Sequence, residues 1–292
     1  MLVPPRFDLP AELTDGLDVQ SLRPVHGGLI AQVYRAQTAT GPVCIKTMNT
    51  LTDGLFANEA RGLRALAQTG TVPVPAVLRE RATGLVLQWV EPAPPGFSGS
   101  AEASERFGRE LAAMHAHHGQ RFGSVDDSAT GHLGVLPLDL TPTDTWAESF
   151  LRARVWPLVH RAVRQEHLDP AVLPRVDELV QRADEVCGPV EPPATLHGDL
   201  WHGNVLHAQD DRRWMVDPST QFGHREMDLA FMRLFAGFDE RVFAAYAEVA
   251  PLAEGCRERV ALHQLLPLLA NAVMFGHSCQ ASISERLSRL GV

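Results

Sequence analysis

Residues 195–206 read Thr-Leu-His-Gly-Asp-Leu-Trp-His-Gly-Asn-Val-Leu, and residues 214–218 read Trp-Met-Val-Asp-Pro. The first stretch is a polar loop between apolar flanks that sets Asp199 five residues before Asn204. The second places another carboxylate, Asp217, after a β-like run. Phosphoryl transfer asks for little covalent help from a protein. It needs a base to orient the attacking hydroxyl and hard oxygen ligands for the Mg²⁺ that rides on a triphosphate. An Asp, an Asn and a second Asp at Asp199, Asn204 and Asp217 can supply one base and two such ligands. A polar turn closed by an Asx cap would explain Asp199 alone, but not the ordered set from His197 to Asp217.

The Asp-to-Asn offset equals that of the protein-kinase catalytic loop, H-R-D-x-x-x-x-N. A site of that kind demands an upstream lysine on a strand and a glutamate on the next helix. Lys46 lies among Val43, Cys44 and Ile45, where an unpaired ammonium would be costly if buried. Glu59 falls three residues after Phe56 and four before Leu63, beside the apolar face of a predicted helix over 54–69. Each charge is awkward alone, and pairing resolves both. Upstream again, Gly27 and Gly28 would let backbone N–H groups approach phosphate oxygens. They match neither G-x-G-x-x-G nor G-x-x-x-x-G-K-[ST], so a Rossmann or Walker site is unsupported.

Strands are predicted over 30–38, 42–48, about 74–80 and 84–91, which with the 54–69 helix make a small α+β lobe. The Pro- and Gly-dense segment 91–99 reads as a connector. Helices are then predicted over 102–118, 144–163 and 170–187, and again from about 226. The expected fold is therefore α+β and two-lobed: residues 1–91 form an antiparallel-sheet lobe, residues 92–292 a mainly helical one. Two readings fit Asp228, which lies with Glu226 in the first turn of a helix: a favourable charge against the dipole, or a group ordering the catalytic-loop backbone. His115, His117 and His118 show no metal-ligand spacing and read as a solvated helix end.

The 292 residues carry a formal net charge of −9, which disfavours a broad nucleic-acid surface. No run reaches the roughly 18 apolar residues of a membrane span, and no signal peptide is evident. The four cysteines are scattered without a C-x-x-C pair, as expected of thiols in a reducing cytoplasm.

At this point the pattern resembles the fructosamine kinases (ketosamine 3-kinases), in the aminoglycoside-phosphotransferase-like group of the protein-kinase fold. The resemblance is carried by Phe56-Ala-Asn-Glu-Ala-Arg-Gly-Leu63, Gly70-Thr-Val-Pro-Val-Pro75, His197-Gly-Asp-Leu-Trp-His-Gly-Asn204 and His224-Arg-Glu-Met-Asp-Leu-Ala230. It implies Asp199 as catalytic base and ATP and Mg²⁺ as cofactors, with Asn204 and Asp217 on the metal, Lys46 on the α/β-phosphates and Glu59 as its partner. It also implies adenine against Gln88, Trp89, Val90 and Glu91. Asp199 would activate the O3 hydroxyl of a small-molecule ketosamine or other glycated amine, and Trp201 and His202 would lie at the substrate. The phosphate ester is unstable and frees the amine, so the implied outcome is deglycation. His202 stands where the family usually has a small residue such as Ser. Two alternatives share parts of this pattern: a phosphotransferase for an aminoglycoside or choline-like amino alcohol, and an inactive nucleotide-binding module. The acceptor pocket is expected from 141–160 and the neighbourhood of Trp201. There Asp144 and Glu148 face Arg152, Arg154 and His160, a poor match for polycations.

Overall fold

Side-chain alternation explains the first half of the chain. In β3 (Gly41–Thr47), Val43 and Ile45 point to one face, while Cys44 and Lys46 point to the other. The computed structural model describes residues 9–25, 31–94, 96–97, 99–126, 128–276 and 279–292. Gly27 and Gly28 therefore lie outside the described residues. β3 is the middle of a five-stranded antiparallel sheet ordered β1-β2-β3-β5-β4, with β1 at Val19–Val25, β2 at Gln32–Thr38, β4 at Val77–Arg81 and β5 at Gly84–Gln88. Four of these strands match the sequence reading, and β1 is added to them. The register sets Lys46 between Val33 of β2 and Leu85 of β5.

Each face of the sheet has its own cover. The short helix α1 (Ala11–Thr14) lays Leu13 on Ala36, Val43, Ile45 and Val86. On the other face, α2 (Leu55–Thr69) buries Phe56, Ala60, Leu63 and Leu66 against Leu85 and Leu87. Glu59 lies on that same buried face, where its spacing predicted it.

After β5 the connector runs beside a later strand: Ala93 N donates to His207 O at 2.7 Å, and Gln209 N to Glu91 O at 3.1 Å. Helices then dominate. α3 (Ala101–His115) starts at Ser100, whose hydroxyl accepts from Ala103 N. A π-helical stretch, Ala147–Val155, runs directly into α4 (Trp156–Arg164). α5 (Leu173–Gln181) and α6 (Ala183–Val186) follow. After an interruption come α7 (Glu226–Leu234), α8 (Glu240–Val249), α9 (Cys256–His263), α10 (Leu265–Phe275) and α11 (Gln280–Arg289). The interruption holds two ribbons: β8 (Ala194–Leu196) pairs with β11 (Gln221–Gly223), and β9 (Val205–His207) with β10 (Arg213–Met215). A third ribbon, β6 (Thr130–Leu133) with β7 (Leu136–Asp139), lies earlier. Trp146, Phe150, Leu266, Leu269 and Ile283 centre the helical core.

The fold is thus α+β and two-lobed. No helix among the described residues is long and apolar enough to cross a membrane. One expectation fails here. His117 and His118 are exposed as predicted, but His115 is buried, with Nδ1 2.9 Å from the Tyr246 hydroxyl. The helix end that carries it packs on α8, so the imidazole has a partner there rather than water.

Candidate active site

The two ribbons hold two loops side by side, residues 197–204 and 216–220. Ser219 N donates to His197 O at 2.9 Å, and Val216 N to Asn204 O at 3.0 Å. His197 is buried and donates from Nε2 to Val216 O at 2.9 Å, while its Nδ1 accepts from Asp199 N. Burial holds its pKa below the ordinary imidazole range. Gly198 makes the close approach possible. Its φ is +83°, and a Cβ there would stand 2.0 Å from Ser219 O.

Asp228 anchors the first loop from below. Its Oδ2 accepts from His197 N at 2.8 Å and its Oδ1 from Gly198 N at 2.9 Å, with His115 Nε2 3.2 Å from Oδ2. The side chain is fully buried. Of the two readings, ordering of the loop backbone is the one the hydrogen bonds support.

On this frame the expected residues converge. Asn204 Nδ2 donates to the Asp199 backbone carbonyl at 2.9 Å and to its Oδ2 at 3.0 Å. Burial pushes the Asp199 carboxyl up to about 7, with Asp217 and Asp228 adding to the rise and Asn204 and Lys46 opposing it. Lys46 Nζ donates to Glu59 Oε2 at 2.7 Å and to Asp217 Oδ1 at 2.8 Å. Burial alone would favour a neutral Lys46, but the two carboxylates outweigh it and hold the ammonium above its ordinary range. Burial raises the Glu59 carboxyl to about 7, with Asp217 adding to the rise and Lys46, 2.7 Å away, opposing it. Asp217 carries this contact with φ at +55°, a left-handed backbone that a non-glycine residue adopts only where surroundings enforce it.

All five residues line one cavity of about 470 Å³. Val33, Cys44, Leu87, Val90, Leu206 and Val216 give it an apolar slot between the sheet and the helical half. Gln88 and Trp89 also line it. Glu91 does not. It accepts from Trp89 Nε1 at 2.8 Å, while the Arg35 guanidinium lies 5.4 Å from the Trp89 ring centre on the strand side. Trp201 lines the cavity, its ring over Gly203 and edge-on to Phe235 at 5.8 Å. His202 is exposed and packs against that ring and Gly237 instead of lining the cavity.

The cavity wall differs from the expectation. Segment 141–160 contributes to the core: Arg154 is 1% exposed and donates to Ser149 O, Ser149 Oγ and Gln221 Oε1. Burial lowers its pKa to about 9. The wall comes from α10, through Pro267, Ala270, Asn271, Met274 and Phe275. From the other side the β6–β7 hairpin brings His132, which meets Asn58 of α2 at 2.6 Å. Gly62 brings α2 down onto the Asp217 segment, since a Cβ there would lie 2.8 Å from Thr220 Oγ1 and 3.2 Å from the Pro218 ring.

A divalent cation fits this donor set. Asn204 spends its amide nitrogen on Asp199 and keeps its carbonyl oxygen, while Asp217 commits one carboxylate oxygen to Lys46. Among the described residues no cluster of three or more His, Cys, Asp or Glu forms a metal site. An ion held here would therefore complete its shell with phosphate oxygens and water, the habit of Mg²⁺.

Comparison with known proteins gives the family. A sequence model of the fructosamine kinase family matches residues 8–290. The chain belongs to the fructosamine kinase family. A probable ketoamine kinase of Thermus thermophilus is 38% identical over 266 residues, covering 91% of this chain and 92% of that protein. The crystal structure of a fructosamine-3-kinase candidate from Thermobifida fusca superposes with a TM-score of 0.87 at 38% identity, covering 98% of this chain and 99% of that one. The aminoglycoside phosphotransferase APH(4)-Ia aligns at a TM-score of 0.63 and 17% identity over 96% of this chain and 95% of its own, a likeness of fold alone. Within the family frame, the α10 wall and the Asn58–His132 contact are what sequence reasoning missed. Asn58 stood inside a quoted family segment, but nothing in the sequence joined it to residue 132.

Proposed function

We propose that this fructosamine kinase family member transfers the γ-phosphoryl group of ATP to the O3 hydroxyl of a ketosamine. The observation that carries the reading is the hydrogen-bonded Asp199–Asn204 pair set in one cavity with the Lys46–Glu59–Asp217 cluster. The hydroxyl oxygen attacks the γ-phosphorus, the bond from phosphorus to the ADP oxygen breaks, and Asp199 takes the hydroxyl proton. A carboxyl raised to about 7 suits that task, because it accepts a proton near neutral pH without holding it too weakly. Asn204 fixes the carboxylate's orientation. Lys46 neutralises α/β-phosphate charge, and Glu59 holds Lys46 extended toward it. Adenine occupies the apolar slot beside Gln88, Trp89 and Val90.

Asn204 and Asp217 would hold Mg²⁺, which supplies charge neutralisation between the β- and γ-phosphates when bound. Loss of phosphate from the 3-phosphate ester then frees the amine, so the biological outcome is deglycation. Residues 1–91 act as the nucleotide lobe and 92–292 as the acceptor lobe, a division supported by the end of the sheet at Gln88. We assign the enzyme to the cytoplasm. The four cysteines are thiols rather than disulfides, as a reducing compartment keeps them.

The test is an acceptor screen. Purified protein with ATP and Mg²⁺ is offered ribulosamines, fructosamines, a glycated-lysine panel and aminoglycosides, and ADP formation and product mass are scored. Phosphorylated ketosamines are expected. Phosphate reaching aminoglycosides and no ketosamine would overturn the reading.

A further inference from the structure

Of the 26 lysine and arginine residues in the chain, only one is a lysine, Lys46. The other 25 are arginines. Geometry asks for a guanidinium at a few of these positions. Arg225 grips Glu191 through Nε and Nη2 at 2.8 and 2.9 Å, and Arg259 grips Glu226 in the same way at 2.8 and 2.6 Å. Arg154 spreads three donors over Ser149 and Gln221. An ammonium cannot reproduce such forks.

At the surface that demand is absent. Arg64 meets Glu80 through one nitrogen at 2.6 Å, Arg121 meets Asp144 through one at 2.9 Å, and Arg233 meets Glu240 through one at 3.0 Å. All three arginines are exposed, as are Arg23, Arg164 and Arg257. A lysine would serve equally well in exposed pairs of this kind. Pairing geometry therefore does not account for a surface without lysine.

The two cations differ in one respect that concerns this enzyme. A ketosamine starts when the nitrogen of a neutral amine attacks the carbonyl carbon of an aldose. Water leaves, and the resulting imine isomerises to the ketone. The ε-amine of lysine forms such imines, whereas a guanidinium stays protonated and delocalised. The one ε-amine of this protein is withdrawn from the surface. Lys46 is 8% exposed, sits between Val33 and Leu85 in the sheet, and is held through Nζ by Glu59 at 2.7 Å and Asp217 at 2.8 Å. Attack on a sugar would require Nζ to leave both carboxylates.

We infer that the folded enzyme is refractory to glycation: it offers an aldose no accessible side-chain amine, and so stays outside the pool of ketosamines it consumes. The first half of that statement stands on composition and burial, and the second rests on the ketosamine reading above.

The experiment incubates full-length enzyme with excess ribose and locates adducts by intact mass and peptide mapping. Folded wild type should take up sugar at its terminal amine alone and keep its turnover. The same protein unfolded in guanidinium chloride should acquire the Lys46 adduct about 10²-fold faster or more, since in the folded state that side chain reacts only through opening. A folded variant carrying Arg23→Lys, Arg164→Lys and Arg257→Lys, none of which lines the cavity, should gain adducts at the new positions. Similar rates at Lys46 in folded and unfolded protein, or unmodified lysines in the folded variant, overturn the inference. These readouts are masses and do not depend on the acceptor screen. Failure of every ketosamine in that screen overturns the reading and the statement about the substrate pool, whatever the masses show.

Discussion

Asn58 Nδ2 and His132 Nδ1 lie 2.6 Å apart, joining α2 of the sheet lobe to the β6–β7 hairpin of the helical lobe. Arg61, one turn along α2, reinforces the junction by donating to Asn58 Oδ1 and to Thr130 O. Because α2 also carries Glu59, the junction sets how far Glu59 reaches toward Lys46. His132→Leu removes the acceptor, and kcat/KM for ATP should fall about tenfold, the effect of losing one net hydrogen bond. His132→Gln, which can still accept, should recover most of it. Steady-state kinetics of the two variants check this.

The Lys46–Glu59 pair should show its coupling in a double-mutant cycle. Lys46→Met leaves Glu59 buried without its cation and should destabilise the fold by about 3 kcal/mol. Adding Glu59→Gln should return about 1 kcal/mol or more of that loss while activity stays low. Urea unfolding of the three variants measures the first effect and ADP release the second. Additive stability losses would show that the two side chains act separately.

Asp199→Asn should keep the fold and lower turnover by about 10²–10⁴-fold, the range for loss of a general base. The amide can still accept from Asn204, so nucleotide affinity should change little. Turnover and ATP binding, measured on the same preparation, separate these effects.

Asp228→Asn takes away one of two charge-assisted acceptors under the catalytic loop. It should cost about 1.5–3 kcal/mol of stability and lower kcat more than it raises KM for ATP. A variant with wild-type kcat would mean that the loop keeps its shape without Asp228.

Acid should weaken the fold through His224 and His263. Their rings stack at 5.5 Å, and both are almost fully buried. Burial holds both pKa values below the ordinary 6.5, with Arg259 near each ring and Arg154 also near His263. Glu226 and Glu191 pull His224 in the opposite sense. The folded protein therefore keeps both rings neutral at a pH where the unfolded chain has begun to protonate them. Stability is full above about pH 6.5 and falls as pH drops below it, by about 1.4 kcal/mol per pH unit for each ring. Urea midpoints at about pH 7 and about pH 5.5 test the sign, and equal midpoints would contradict it.

Chemistry made some of this site readable in advance. A lysine inside an apolar strand and a glutamate beside an apolar helix face advertise each other, and both stand where their neighbours implied. The loop from His197 to Asn204 was equally legible, because its polar residues interrupt an apolar context at a fixed spacing. β1 was harder: its residues are mostly exposed, and Pro24 breaks the strand signal. α10 was illegible as a binding wall for the opposite reason. It is apolar on nearly every side, so a stripe facing a cavity reads the same as one facing the core. The segment 141–160 is expected at the acceptor pocket, yet Arg154 has internal partners that no local pattern reveals. Asn58 and His132 are 74 positions apart, and only the fold brings them together.

Gly62 has a consequence for how the two halves are held. With no side chain between them, α2 and residues 218–220 lie in close contact. Val216 N and Ser219 N bind that same stretch of chain to residues 197–204 of the helical half. The apolar face of α2 meanwhile covers Leu85 and Leu87 of the sheet. The helix is thereby a strut fastened at both ends, one to each half of the molecule.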